Sequence, residues 1–428
     1  MRYLPIKKVE AGMVLAQDIL DGQGVMLLGR HQILNQEQIE NLDKMGYPGL
    51  YIDDKFSEEI EIAEVIKPSI HSKILEIVHH LFIDRMEEED VSEQEWQIRE
   101  AVMQVVDSLL ENEEVMYNMM SLKNYDDYTY FHSVNVGILS AVIGAHYGMD
   151  EYELRILTTA ALLHDIGKKF LEIDILNARR TLTEEERRIV LQHPKLGYEF
   201  LRDNFDFAPE VYLGVLEHHE CYNGEGYPMR KSGDEISIYG RIIKLADVYD
   251  AMISKRPYRD PMPPADVIEY IMAMNGSEFD PKLVEVFLRW VAVYPAGCEV
   301  EFSDGRMAVV KHNYQGFVLR PIVKVCDTGE IIDLKNNKEA RSITIVRLVA
   351  DGPKKSLPRE GYITIEGYEH ICDKIRHMIL GAEMRIYFSA TGAFLEEWTE
   401  EIRELVKAGK KVVLISEDNK ELFSKDEE

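Results

Sequence analysis

ALLHDIGKK, residues 161–169, places a histidine and an aspartate side by side at the end of an apolar run, then a glycine and two lysines. The stretch leading into it, ELRILTTAALLHDIG, repeats its apolar residues at helical spacing, so it predicts a helix with His164 and Asp165 at its C-terminal end and Gly167 as its stop. Neighbouring residues on a helix diverge by roughly 100°, so the two side chains do not point along one line. Both still reach a pair of metal ions lodged beside the helix end, the carboxylate bridging and the imidazole binding one ion. Crowded imidazoles and carboxylates lose hydration and need partners, and a metal ion is such a partner.

Similar apolar helices lie on either side: HSVNVGILSAVIGAHYG from His132, VYLGVLEHHE from Val211 and GRIIKLADVYDAMI from Gly240. With no strand-rich segment between them, residues 121–295 read as an all-α core domain. These helices carry further candidate ligands: His132, His193 in LQHPKLGYEFL, His218 and His219 at the head of HHECYNGEGYP, and Asp247. Taken singly, each reads as a satisfied structural residue. Together with His164 and Asp165 they suit a site for two divalent ions, iron or manganese rather than zinc, because the donors are mixed nitrogen and oxygen without thiolate. Lys168 follows His164 by one turn, Lys169 follows it, and Arg256 and Arg259 come shortly after Asp247 and Asp250. Two metals beside such cations can hold a phosphodiester and activate water towards phosphorus.

The rest of the chain narrows the function classes. Its 428 residues hold 77 acidic and 49 basic side chains, a formal charge of −28, which argues against DNA or RNA and against anionic membranes as partners. An anionic small molecule remains compatible with a local cluster of cations. Cys221, Cys298, Cys326 and Cys372 form no CxxC pair, the N-terminus MRYLPIKKVEAG lacks a signal-peptide core, and no stretch approaches the roughly 20 apolar residues that span a bilayer. The expectation is a cytoplasmic protein with reduced thiols.

The chain reads as multidomain. Residues 1–57 form a small N-terminal α+β module, with short strands in VLAQDIL and GVMLLG and a helix in NQEQIENLDKMG; residues 58–120 are a helical connector containing a solvated acidic run. After the core, residues 296–350 alternate as a β-rich extension with turns at Asp304-Gly305 and Thr328-Gly329, and residues 351–360 are a linker. Residues 361–428 alternate helix and strand as a small C-terminal α/β unit.

His164-Asp165 with Gly167-Lys168, then HHECYNGEGYP, then ADVYDAMISKRPYR resemble the HD-GYP family of HD-domain metal-dependent phosphohydrolases, over about Tyr125 to Tyr294. The resemblance implies a bacterial signalling enzyme that hydrolyses cyclic di-GMP with a metal-bridging hydroxide, giving pGpG and, on further cleavage, GMP. It implies that His132, His164, Asp165, His193, His218, His219 and Asp247 hold the metals, and that Lys168, Arg256 and Arg259 contact phosphate. Asp250 would support the site from behind or assist proton transfer, and Gly224, Gly226, Tyr227 and Pro228 would shape the substrate pocket. Some members carry a glutamate one turn before the first histidine and bind a third metal; Tyr128 stands there, so two metals are expected. The β-rich extension is similar to one that often follows this domain. The C-terminal unit resembles the phospholipase-D-like region of TrmB-type sugar-sensing regulators, without an HxK pair, so no catalysis is expected there.

Two other readings stand beside this one: a non-catalytic cyclic-dinucleotide-sensing adapter, and a hydrolase of a hybrid cyclic dinucleotide. Either leaves room for a homodimer and for partner proteins at the terminal modules.

Overall fold

The computed structural model describes residues 1–20, 25–47, 49–60, 65–83, 91–112, 128–176, 182–254, 264–337 and 345–348, apart from single positions between these, and two strands near the C-terminus. The chain divides into two compact units, Met1–Gly361 and Tyr362–Glu428.

The first unit opens with β1 (Arg2–Pro5), β2 (Val14–Leu15), the paired β3 (Ile19–Leu20) and β4 (Met26–Leu28), α1 (Gln36–Lys44) and β5 (Gly49–Asp53). β5 lies between β1 and β2, antiparallel to both. α1 starts at a reciprocal cap, Asn35 and Gln38 each accepting from the other's backbone N–H. Its apolar face closes a small core with Leu4, Leu15, Leu34, Leu50 and Ile52.

Eleven further helices are described: α2 (Pro68–Ile83), α3 (Val91–Leu110), α4 (Tyr128–Tyr147), α5 (Glu151–Leu163), α6 (Ile173–Leu176), α7 (Glu184–Val190), α8 (His193–Asn204), α9 (Pro209–Glu217), α10 (Ile238–Ile253), α11 (Pro264–Ala273) and α12 (Pro281–Trp290). Helices account for every named element between Tyr128 and Trp290, as the sequence pattern predicts. α4 is apolar on nearly all sides and is buried from Phe131 to Gly144, as a central helix must be. α2, α5, α10 and α12 pack around it, and α9 packs on α5 and α10. Each fully buried Leu, Ile or Val contributes roughly 1.5–3 kcal/mol. A shell of this kind can therefore carry several charged groups at its centre, although each costs several kcal/mol to desolvate.

The α5 terminus differs from its sequence reading. The α-helix stops at Leu163, and His164, still in helical conformation, leads into a 3-10 turn from Ile166 to Phe170. Gly167 lies inside that turn and has no left-handed conformation. A Cβ on it would sit 2.0 Å from the His193 carbonyl oxygen and 2.6 Å from the Gly197 nitrogen. This glycine is set by close approach to α8, and the requirement lies in a partner 26 positions away rather than in the helix end.

Beyond α12, β6 (Glu299–Phe302), β7 (Met307–His312), β8 (Ile322–Val325), β9 (Ile331–Asp333) and β10 (Ile345–Leu348) form an antiparallel sheet in the order β10-β6-β7-β8-β9. Its turns include Gly305 and Gly329, both at positive φ. Val300, Val310, Val323 and Val325 join the same apolar core as the helices. The N-terminal sheet meets this extension where the Tyr3 N–H donates to the Gly297 carbonyl at 2.8 Å. In the second unit β11 (Arg385–Ser389) and β12 (Lys411–Ile415) pair in parallel. They fall in the two runs read as strands, EMRIYFSA and KKVVLIS; the helices expected beside them lie outside the described residues. Among the described residues no helix is long and apolar enough to cross a membrane.

Candidate metal centre

Three of the candidate histidines are held by one local device. A helix leaves its last carbonyls without intrahelical donors. The Nδ1 atoms of His164, His193 and His218 lie 2.7, 2.8 and 2.7 Å from the carbonyls of Ala161, Val190 and Val215, each three residues back at the end of α5, α7 and α9. With Nδ1–H donating there, each ring presents the lone pair of Nε2 to the interior.

Those three Nε2 atoms converge on Asp165. Its Oδ1 is 3.3 Å from His193 and 4.0 Å from His218, and its Oδ2 is 3.5 Å from His164 and 3.9 Å from His132. Asp247, on α10, reaches His132 Nε2 at 3.0 Å and His219 Nδ1 at 3.9 Å. His193 Nε2 is 3.2 Å from both His218 Nε2 and His219 Nε2. The donor atoms group as His193, His218 and His219, as His132, His164 and Asp247, and as His164, Asp165 and His218, each triad within the spacing of a single ion's ligands. All seven residues expected as ligands are thus in one cluster, and the cluster is able to hold metal.

Electrostatics point the same way. Burial drives the imidazoles of His218 and His219 well below the usual histidine range, their neighbouring imidazoles adding to the effect, and burial lowers His164 too. His164 Nε2 is shut off from water without a hydrogen-bond partner. His132 is the exception: burial alone would lower it, but the carboxylates of Asp247 and Asp250 outweigh that and push it up to about 9. Asp165 and Asp247 stay well below the normal carboxylate range despite burial, through Lys168 and the imidazoles at Asp165 and through His132 at Asp247. The neutral imidazoles supply lone pairs, the carboxylates supply negative charge, and a proton on His132 stands where a cation is called for. Such a donor set fits a divalent ion.

Asp250 lies behind the cluster. Its Oδ2 is 2.7 Å from His132 Nδ1, and its Oδ1 accepts from Asn135 Nδ2 at 2.9 Å. Lys168 Nζ donates to Asp165 Oδ2 at 2.5 Å and is 25% exposed, while Asp247 is 10% and His219 19% exposed against 0–2% for the other ligand candidates. Solvent therefore reaches the cluster from the side of Lys168, Asp247 and His219. Tyr227 stacks on the His219 ring there, centroids 4.7 Å apart and planes 20° from parallel. Gly226 permits this: a Cβ on it would lie 2.3 Å from the Cys221 nitrogen, so the loop folds flat on residues 220–221. Gly224 takes positive φ in the preceding turn, and Pro228 follows Tyr227 in a cis peptide. Arg256 and Arg259 lie outside the described residues.

Three residues near the site escaped the sequence reading. Glu220, whose carboxylate stood in the quoted HHE, turns away from the cluster and accepts the backbone N–H groups of Met229, Arg230 and Lys231 at 2.6, 3.1 and 3.1 Å. Glu217 accepts from Ser237 N at 2.7 Å and Lys231 Nζ at 2.5 Å. Lys244 stands one helical turn before Asp247, and its charge contributes to the lowering of His219. The Lys244-to-Asp247 spacing was a usable signal; nothing local marks the two glutamates.

Residues 104–283, from within α3 to the start of α12, match the family model of the HD domain. The chain is 35% identical over 218 residues to a cyclic di-GMP phosphodiesterase of Pseudomonas aeruginosa, covering 51% of this chain and 52% of that one. It is 39% identical over 181 residues to a cyclic di-GMP phosphodiesterase of Thermotoga maritima, covering 41% and 48%. A 3′3′-cGAMP-specific phosphodiesterase of Vibrio cholerae is 35% identical over 189 residues, covering 43% and 36%. The chain thus spans about half the length, or less, of these curated relatives. The fold and the buried His-Asp cluster define a protein carrying an HD domain. Its ordered motifs are similar to those of the HD-GYP branch of that family.

Proposed function

We propose that this chain is a metal-dependent phosphodiesterase that opens a cyclic dinucleotide, cyclic di-GMP first among them, to the linear pGpG and then to GMP. The observation that carries this reading is the position of Asp165, whose two oxygens face different histidine sets. His193, His218 and His219 would hold one ion, His132, His164 and Asp247 the other, and Asp165 would be shared, with iron or manganese suited to the donors. When bound, two such ions polarise a phosphodiester and make water nucleophilic near neutral pH.

The chain's own residues supply the remainder. Asp250 keeps the His132 ring oriented through Nδ1. Lys168 offers its ammonium to a phosphate oxygen on the open side of the cluster, with Arg256, Arg259 and Lys244 as further cations for the second phosphate. Tyr227, resting on His219 with Gly226 and Pro228 beside it, walls the entrance against which a base can lie. The Vibrio cholerae relative favours a hybrid cyclic dinucleotide as a second substrate, so the test is a competition. Protein loaded anaerobically with Fe(II) or Mn(II) is offered cyclic di-GMP and 3′3′-cGAMP, and products are separated by chromatography. Linear product from cyclic di-GMP is expected; bound but uncleaved nucleotide would instead favour the sensing adapter.

A further inference from the structure

Lys168 and Lys169 are adjacent and are used differently. Lys168 turns into the cluster and meets Asp165, whereas Lys169 Nζ donates to the Leu81 carbonyl at 2.9 Å, near the C-terminal end of α2. Carbonyls in the last turn of a helix lack intrahelical donors and carry the negative end of the helix dipole, so a lysine ammonium is a fitting cap. The same ammonium lies 4.9 Å from the centroid of the Phe200 ring on α8, a cation–π contact. One side chain thereby touches the end of the connector helix and the helix that begins with His193. Its backbone belongs to the 3-10 turn that carries Lys168, and Gly167 in that turn is wedged on the His193 carbonyl.

We propose that Lys169 is a positioning residue that ties the end of α2 to the 166–170 turn, so that the seating of α2 sets how Lys168 meets the substrate phosphate. This rests on the reading of Lys168 given above. The turn is a single short 3-10 segment, joined to the chain on either side by the Lys168 N–H to Asp165 O bond at 2.9 Å and the Leu171 N–H to Lys168 O bond at 3.0 Å. 3-10 segments are short and poorer in hydrogen-bond geometry than α-helices, so the placement of this one depends on what it is tied to. α2 follows the N-terminal sheet module in the chain, so a displacement of α2 would reach Lys168 through this tether without passing through the metal ligands.

The test is a double-mutant cycle with an independent structural readout. Lys169→Met should lower turnover about tenfold, a loss typical of a misplaced group, while metal content stays unchanged. Combined with Lys168→Met it should add nothing further, since Lys169 acts through Lys168. Lys169→Arg, which keeps a donor and a cation, should restore most of the activity. In metal-free protein, hydrogen exchange at the amides of Lys168 and Leu171 should quicken in Lys169→Met and not in Lys169→Arg. Losses that add in the double variant, or unchanged exchange at those two amides, would overturn the proposal. A wild-type protein without turnover would count against the phosphodiesterase reading, while the exchange measurement would still judge the tether.

Discussion

Glu299, at the seam between the N-terminal sheet and β6, and Asp165, at the centre of the histidine cluster, are both carboxylates withdrawn from water, and their surroundings answer them differently. Glu299 is met by Lys8 at 2.6 Å and by Arg2 at 3.1 Å, the latter shared with Asp54 at 2.7 Å. Asp280 has Arg241 at 2.7 Å, and Glu220 has three backbone N–H groups. Asp165 and Asp247 together have Lys168, a protonated His132 that Asp250 shares, and the imidazoles of His164, His218 and His219, which burial holds neutral. A buried carboxylate that serves the fold brings its own counter-charge or a full set of N–H donors, because leaving it unpaired costs several kcal/mol. The cluster instead turns neutral imidazole nitrogens towards its carboxylates, a donor set able to hold a metal ion. The difference separates two ways of burying a carboxylate in one molecule.

The largest test of this contrast is Asp165→Asn. It keeps the shape and removes the charge shared by both histidine sets, so it should reduce phosphodiesterase turnover by about 10³-fold or more and lower the metal content of the purified protein. Asp250→Asn should cost less, about 10- to 100-fold in metal affinity or activity, since it loosens the hold on His132 Nδ1 without removing a ligand. Equal losses in the two variants would mean that Asp250 works inside the cluster. Glu299→Gln should leave turnover and metal content alone and reduce stability by about 1 kcal/mol in chemical denaturation, because Arg2 and Lys8 are only partly removed from water and can rehydrate. A loss of activity there would erase the distinction.

Much of the cluster was legible because its members stand on or beside helices whose apolar period is strong and whose ends are short of donors. His164 and His218 fall at helix ends where the i−3 carbonyl is free to receive Nδ1, a relation written within four residues of sequence. The all-α core was legible for the same reason, as were the turns at Gly305 and Gly329. Gly167 was misread because a glycine demanded by close approach and one demanded by positive φ look alike in a sequence. Glu217 and Glu220 were unreadable as loop anchors because their partners lie 9 to 20 positions downstream on irregular backbone. β10 was not singled out as an edge strand because it reaches β6 from 43 or more residues away, with only a four-residue run to announce it.

The smallest expected effect concerns a histidine outside both settings. His71, on α2, has its Nε2 shut off from water without a hydrogen-bond partner, and burial lowers its pKa to about 4. Its folded value lies below the ordinary 6.5, so the unfolded chain binds the proton more readily. The stability this group contributes is complete above pH 6.5 and is lost as pH falls towards 4. His71→Phe, which keeps a ring beside Phe131, should therefore flatten the fall in melting temperature of metal-free protein between pH 6.5 and 4.5 without altering it at pH 7.5. The cluster histidines are expected to respond to metal where His71 does not: added Mn(II) should raise the melting temperature of wild type and His71→Phe alike. His146, stacked on Trp290, is lowered by burial to about 4 as well. An acid-side slope unchanged by His71→Phe and by His146→Phe alike would therefore place the acid sensitivity in the cluster itself, and would mean that its imidazoles, even without metal, are held more tightly by the fold than the contrast with Glu299 allows.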